Sequence, residues 1–220
     1  MKRISLFLSF FLGLPKTLFF NFKLLPFKDA IFLPVWVSRN VFLKNTTGKL
    51  FLGAVKPGIV RIGFGDVGVF DKKVSRTIWD VSGEARFVGS AHIGHGSKLS
   101  VSGMIEFGEN FVVTAESVFI AANQICFGQN VLVSWQVTFM DTDFHSIFDN
   151  NDKRINEDDE IVIGDEVWIG FGATLLKGSG LADGSVVASR SLISKKYTEP
   201  FCLLGGVPAT VLRKGIRWEM

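Results

Sequence analysis

Residues 140–152 read MDTDFHSIFDNND, which sets one imidazole, His145, among the carboxylates of Asp141, Asp143, Asp149 and Asp152. Histidine is the side chain whose ordinary pKa, about 6.5, lets it accept and return a proton near neutral pH. The chemistry this points to is deprotonation of a hydroxyl, whose oxygen is a poor nucleophile while it keeps its proton. A carboxylate beside such a base can hold the imidazole and stabilise its charged form. Asp141 and Asp143 are both candidates for that role. The plainer alternative is a solvated loop, because aspartate also favours turns. Eight acids lie between residues 141 and 160. They repel a phosphorylated co-substrate, which is expected to approach from elsewhere.

The element that must position this loop is a repeat. From Ile163 onward every sixth residue is aliphatic: Ile163, Ile169, Leu175, Leu181, Val187 and Ile193. Small or compact residues, among them Ala173, Ser179, Ser185 and Ser191, stand four places after most of these. A period of six fits neither a helix nor an ordinary amphipathic strand. It describes one flat side of a triangular coil, so that three sides make a turn of 18 residues. The aliphatic residue points inward and the small residues fit the corners. Backbone hydrogen bonds then run from turn to turn at about 4.8 Å, and stacking makes the core continuous. The expected stacks are Ile163 on Leu181, Ile169 on Val187 and Leu175 on Ile193.

A longer motif recurs upstream as IEFGENF at 105–111, ICFGQNV at 125–131 and IVIGDEV at 161–167. The first spacing is 20 residues and the second 36, one turn plus an insertion of 18 that holds the His145 stretch. Val81, Phe87, Ile93 and Leu99 keep the same step, and RIGFGDVG at 61–68 looks like an early, irregular turn. The expectation is a mainly β chain in three parts. Residues 1–57 form a short basic, Phe-rich helical or irregular segment. Residues 58–198 form the coil in six or seven turns, with an inserted loop at about 141–160. Residues 199–220 form a tail.

The chain has 220 residues, 47% hydrophobic and 20% charged, which excludes a disordered chain. The net charge of +3 conceals an asymmetry: residues 1–44 carry +6 and the remainder −3. A basic, Phe-rich front end suits an anionic surface, and membrane phosphates fit it better than nucleic acid, for which no motif is present. ISLFLSFFLGL, after Met-Lys-Arg, is too short to span a bilayer and is followed by no small-x-small cleavage site. It is expected to pack on the body or lie at a membrane surface. Cys126 and Cys202 match no metal or disulfide spacing and read as reduced, packed thiols.

The hexads, together with the closing GGVPATVLRK at 205–214, resemble the hexapeptide-repeat acyltransferases. FGQNVLVSWQVTFMDTDFH looks most like the branch that O-acetylates sugars, which includes galactoside and maltose acetyltransferases and polysaccharide or lipopolysaccharide O-acetyltransferases. The resemblance is strong over about 105–214 and weaker over 58–104. It implies a left-handed parallel β-helix, an exception to the usual crossover hand. It also implies acetyl-CoA as co-substrate, a saccharide acceptor, no metal, and a homotrimer with its site between neighbouring subunits. His145 falls where such enzymes carry their catalytic base. Ser189, Ser194, Lys195 and Arg213 match positions that contact coenzyme A, and Trp168 in DEVWIG matches a residue beside the donor site. Ser134 and Trp135 stand ready to offer an acceptor a hydroxyl and an apolar platform. The family's sugar enzymes hold the acceptor with the help of an asparagine near the segment TAES; this chain departs from that pattern with Thr114 and Glu116, and Glu116 is the candidate there for contact with the acceptor. The expected location is cytoplasmic, at most peripheral at the inner face of a membrane.

Two other readings compete. One is a non-catalytic β-helix used for assembly or binding. The other is a zinc enzyme like the γ-class carbonic anhydrases, which share the fold and need three histidines. This chain has three, His92, His95 and His145, at a spacing that does not match that class.

Overall fold

The structure, a computed structural model, describes residues 2–71 and 74–219, with side chains from residue 10 onward. Its strands form three sheets, called here faces A, B and C, of nine, seven and seven strands. Face A starts at Val35–Val37, face B at Phe42–Thr46 and face C at Lys49–Leu52. The chain visits A, B and C in rotation, and neighbours within a sheet come from successive turns. Among the described residues every strand pairing within the sheets is parallel except Cys202–Gly206 with Ala209–Lys214, a hairpin on the last edge of face A. The result is a three-sided prism, with seven complete turns among the described residues.

The hexads place the turns as expected. Ile163 pairs with Leu181, Ile169 with Val187 and Leu175 with Ile193, and all six side chains are buried. Upstream turns are longer: Ile105 pairs with Ile125 and Leu99 with Phe119, a step of 20 residues. The interior changes with turn length. The wider turns are filled by phenylalanines, with Phe87, Phe107 and Phe127 stacked at 4.9 and 5.6 Å and Phe119 on Phe139 at 5.0 Å. Beyond the inserted loop the same rows continue as Ile163 and Leu175. A turn two residues longer encloses more volume, and close packing demands bulkier side chains to fill it.

Corners are fastened by carboxylates. Glu109 accepts a hydrogen bond from the Ser90 N–H, Asp165 from Gln129, and Asp183 from Asp165, each one turn below. This explains two glycines of the repeat. A Cβ on Gly128 would lie 2.2 Å from Asp165 Oδ1, and one on Gly164 would lie 2.3 Å from Asp183 Oδ1.

The prism begins earlier and ends later than the hexads indicate. Val35–Val37, Phe42–Thr46 and Lys49–Leu52 pair in parallel with the next turn, and Leu203 and Leu204 extend face A beyond residue 198. Residues 35–52 are therefore coil rather than front segment. The beat is hidden there because pairing partners lie 25 to 36 residues apart, separated by the connections at 53–59 and 65–77.

Helix α1 (Lys2–Leu24) closes the open end. Its Phe20 is fully buried, 5.0 Å edge-on to Trp79. The edge strand would otherwise leave backbone groups unpaired. The Asn21 amide bonds both the N–H and the C=O of Val35, and the Thr17 hydroxyl accepts from the Val37 N–H. Both cysteines are free; Cys202 is buried, whereas Cys126 is half-buried on the outer side of face C rather than packed inside.

The outer sides of the faces differ. Face C carries charges that pair across turns, Lys49 with Glu84 and Lys196 with Glu160. Face B also carries such a pair, Lys44 with Asp80, in its first two turns, and from Val118 onward it presents half-buried apolar side chains, Val118, Ile120, Met140 and Leu176, as face A does with Leu132. Phe107→Ala, which removes a ring from the middle of the interior stack, is expected to lower unfolding free energy by about 3–5 kcal/mol, read from urea denaturation.

Candidate active site

The inserted loop leaves face B at Met140 and rejoins face C at Ile161. It can do so only because the turn closes in register: Phe139 pairs with Leu175 and Ile125 with Ile161 as if the insertion were absent. The neck is narrow. The Asp159 N–H donates to the Asp141 carbonyl at 3.2 Å, and the Gly178 N–H to the Asp159 carbonyl at 3.3 Å.

Asp141 is fully buried and its carboxylate accepts from the N–H groups of Ala122 (2.7 Å) and Asn123 (2.9 Å) in the turn below. This is the corner fastening seen elsewhere in the prism. Burial pushes its carboxyl above the usual range, against the pull of those N–H groups. Asp143 is engaged differently. Its Oδ2 pairs with Lys177 Nζ at 2.6 Å and accepts from Asn156 Nδ2 at 2.8 Å. The Lys177 and Asn156 bonds hold its carboxyl below the ordinary range.

His145 is exposed near the start of the loop, its backbone N–H donating to the Asp143 carbonyl at 2.6 Å. Among the described residues nothing hydrogen-bonds its imidazole, so neither Asp141 nor Asp143 orients the ring within one chain. What holds this segment is Asn156, 8% exposed. Its amide nitrogen donates to the His145 carbonyl and to Asp143, while its oxygen accepts from the Ile147 N–H at 2.6 Å. Lys177 completes the clamp through the carbonyls of Asn156 and Glu157, both at 3.0 Å. Around His145 the loop turns apolar side chains outward: Phe144, Ile147, Phe148 and Ile155 are each more than half exposed.

The remaining expected residues fall on different sides of the prism. Ser194 and Lys195 are exposed on the B–C corner, the corner from which the His145 loop leaves. Lys195 also lines a shallow groove of about 360 Å³ with Tyr197, Thr210 and Val211, beside the terminal hairpin. Glu116, Ser134, Trp135 and Ser189 are on the A–B corner, and Trp168 is on face A itself. Trp168 Nε1 donates to Ser134 Oγ at 3.2 Å, so a residue matched to the donor and one matched to the acceptor are in contact. Trp135 stacks on Phe171 at 5.6 Å, and the Arg190 guanidinium stands 5.6 Å from the Phe171 ring. Glu116 lies 3.8 Å from Lys98. Arg213 is exposed on the hairpin strand that edges face A.

Four participants have no signature in the sequence. Asn156 and Lys177 hold the loop, Phe171 supports Trp135, and Trp218 of the tail packs 6.0 Å from Trp168 while its Nε1 donates to the Glu166 carbonyl at 2.6 Å. His92 and His95 share one strand of face A, whereas His145 is in the loop at the B–C corner. Burial lowers the His92 pKa to about 4. Among the described residues no group of three or more His, Cys, Asp or Glu side chains could hold a metal ion.

Comparison with known proteins decides the fold. The polySia-specific acetyltransferase NeuO superposes with a TM-score of 0.53 over 84% of this chain and 79% of its own, at 22% identity. The prism is a left-handed β-helix. A maltose O-acetyltransferase from Clostridium difficile 630 is 28% identical over 52% of this chain and 60% of its own, with a TM-score of 0.46. An uncharacterized 24.8 kDa protein in the cps region of Klebsiella pneumoniae is 45% identical over 104 residues. That match spans 47% of this chain and 46% of the Klebsiella protein, about half of either. No protein-family model matches the chain.

Asp141→Ala removes the acceptor of two part-buried N–H groups, Ala122 and Asn123, and is expected to cost about 0.5–1.5 kcal/mol for each. The check is a thermal melt, which falls for a corner fastening and stays put for a residue that acts only on the histidine.

Proposed function

We propose that the chain is an acetyl-CoA-dependent O-acetyltransferase acting on a saccharide, with His145 as general base and the site formed between neighbouring copies. The observation that carries this reading is the division of the candidate residues. His145, Ser194 and Lys195 belong to the B–C corner, while Ser134, Trp135 and Ser189 belong to the A–B corner and Trp168 to face A. Face B lies between these corners, and a stacked prism does not bend to bring them together. A second copy can present its A–B corner to the His145 loop of the first. The exposed apolar side chains flanking His145 support this, since such a patch is stable when covered. So do the apolar outer side chains of face A and of the later turns of face B beside a charged face C, which suit a homotrimer with face C toward water.

In this reading the His145 imidazole takes the proton of a sugar hydroxyl as its oxygen attacks the thioester carbonyl. The tetrahedral intermediate collapses by breaking the C–S bond, and the imidazolium returns the proton to the departing thiolate. Asn156 acts through the loop backbone, holding His145 at the height the neighbouring copy requires. Trp168, Ser189 and Ser194 would line the donor arm, and Lys195 and Arg213 would meet its phosphates. Ser134, Trp135 and Glu116 would face the acceptor. Likeness in fold to NeuO supports the reaction class, and a saccharide polymer is the acceptor to try first.

Complementation tests the shared site. His145→Ala and Trp168→Ala, each purified alone, are expected to lose most acetyl-CoA turnover with a mixed sugar panel. Co-expressed with different tags and purified as mixed oligomers, they are expected to recover a substantial fraction, because some interfaces combine an intact loop with an intact face A. Mixed oligomers no more active than either variant would contradict a site between copies.

A further inference from the structure

Among the described residues, helix α1 packs one side on the prism and leaves another, apolar side exposed. Toward the prism it presents Gly13, Thr17, Phe20 and Asn21. Contact there is close, since a Cβ on Gly13 would lie 2.3 Å from the Val37 carbonyl oxygen. Away from the prism stand Phe11, Leu12, Leu18, Phe19 and Phe22, each 40–53% exposed. The apolar surface continues past the helix through Phe27, 74% exposed, and then Ile31 and Phe32. Large aromatic side chains this exposed and this contiguous mark a contact surface.

We infer that this outer side of α1 and the turn after it dock on an anionic lipid surface. Charge selects that partner. Residues 1–28 contain Lys2, Arg3, Lys16, Lys23 and Lys28 and no acid. Lys16 is turned inward onto the carbonyls of Arg39 and Val41, which leaves Lys23 and Lys28 exposed at the rim of the patch. Two copies meeting through this side would bring the same positive charges together, and like-charge juxtaposition is unfavourable. A bilayer with anionic headgroups complements both the charge and the aromatic side chains. The helix would lie along the surface: no helix among the described residues is long and apolar enough to cross a membrane. The inference stands whether or not the acyltransferase reading does. Joined to it, it places the enzyme beside lipid-borne acceptors.

Vesicle flotation of the full chain tests it, using phosphatidylcholine vesicles with and without phosphatidylglycerol. The comparison proteins are Phe19→Ser/Phe22→Ser and Lys23→Glu/Lys28→Glu, with melting temperature and oligomer mass followed in parallel. The wild type is expected to float with the phosphatidylglycerol vesicles and much less with phosphatidylcholine alone. Each double variant is expected to bind about tenfold more weakly or worse at unchanged melting temperature, and salt is expected to weaken wild-type binding. Wild type that stays unbound on anionic vesicles overturns the inference, as do variants that bind as well as wild type. A Phe19→Ser/Phe22→Ser protein that loses oligomer mass while floating normally also overturns it, making the surface a contact between copies.

Discussion

Every other feature of this protein depends on the register of one turn upon the next. Each face sends more than one column of side chains inward, such as Ile105 on Ile125 and Phe107 on Phe127 of face C, and each inward residue must land on its counterpart below. Phe119 lands on Phe139, and Phe139 on Leu175, although 36 residues separate the second pair. The chain can leave the prism only at a corner and must come back in step. The His145 loop is the product of that constraint. It departs after Met140, returns at Ile161, and is pinched at the neck by the backbone bond from Asp159 to Asp141. A rigid frame thus carries a loop whose base is fixed and whose outer part is free to meet another surface.

The same rigidity separates the candidate residues into two groups. Residues at the B–C corner and residues at the A–B corner are held apart by face B. Within one chain His145 has its backbone fixed by Asn156 and its imidazole unengaged. Asp143, the nearest carboxylate in sequence, is neutralised by Lys177. The acidic character of the loop is therefore largely internal: one acid fastens a corner, one closes the clamp, and Asp149 accepts from the N–H groups of Asn151 and Lys153 to shape the tip. An imidazole presented in this way is open to a surface that another copy brings to the loop.

The coil from Ile163 to Ile193 was legible to the residue, because six-residue spacing and 18-residue turns are local properties of the chain. An insertion of one turn's length keeps the rows in step across it, so that Phe127 pairs with Ile163. The first turn was not legible, because two connections of different length break the spacing around residues 35–52. Asn156 and Lys177 were illegible for another reason. Asn156 in NDKRINEDDE and Lys177 in LLKGSG look like any solvated polar residues, and their value comes from carbonyls and a carboxylate that only the folded loop brings near. Trp218 was hidden likewise, its partner Trp168 lying 50 residues earlier. Asp141 shows the opposite limit: its type suggested proton chemistry, and burial over two N–H groups makes it a structural fastening.

The central claim is that His145 is the base for acyl transfer, and the direct measurement is free-thiol release from acetyl-CoA by wild type and His145→Ala with a mixed sugar panel. The account predicts a fall of about 10²–10⁴ in the variant, with melting temperature and oligomer mass unchanged. Equal rates in the two proteins would contradict it and leave His145 a solvated residue on a well-anchored loop.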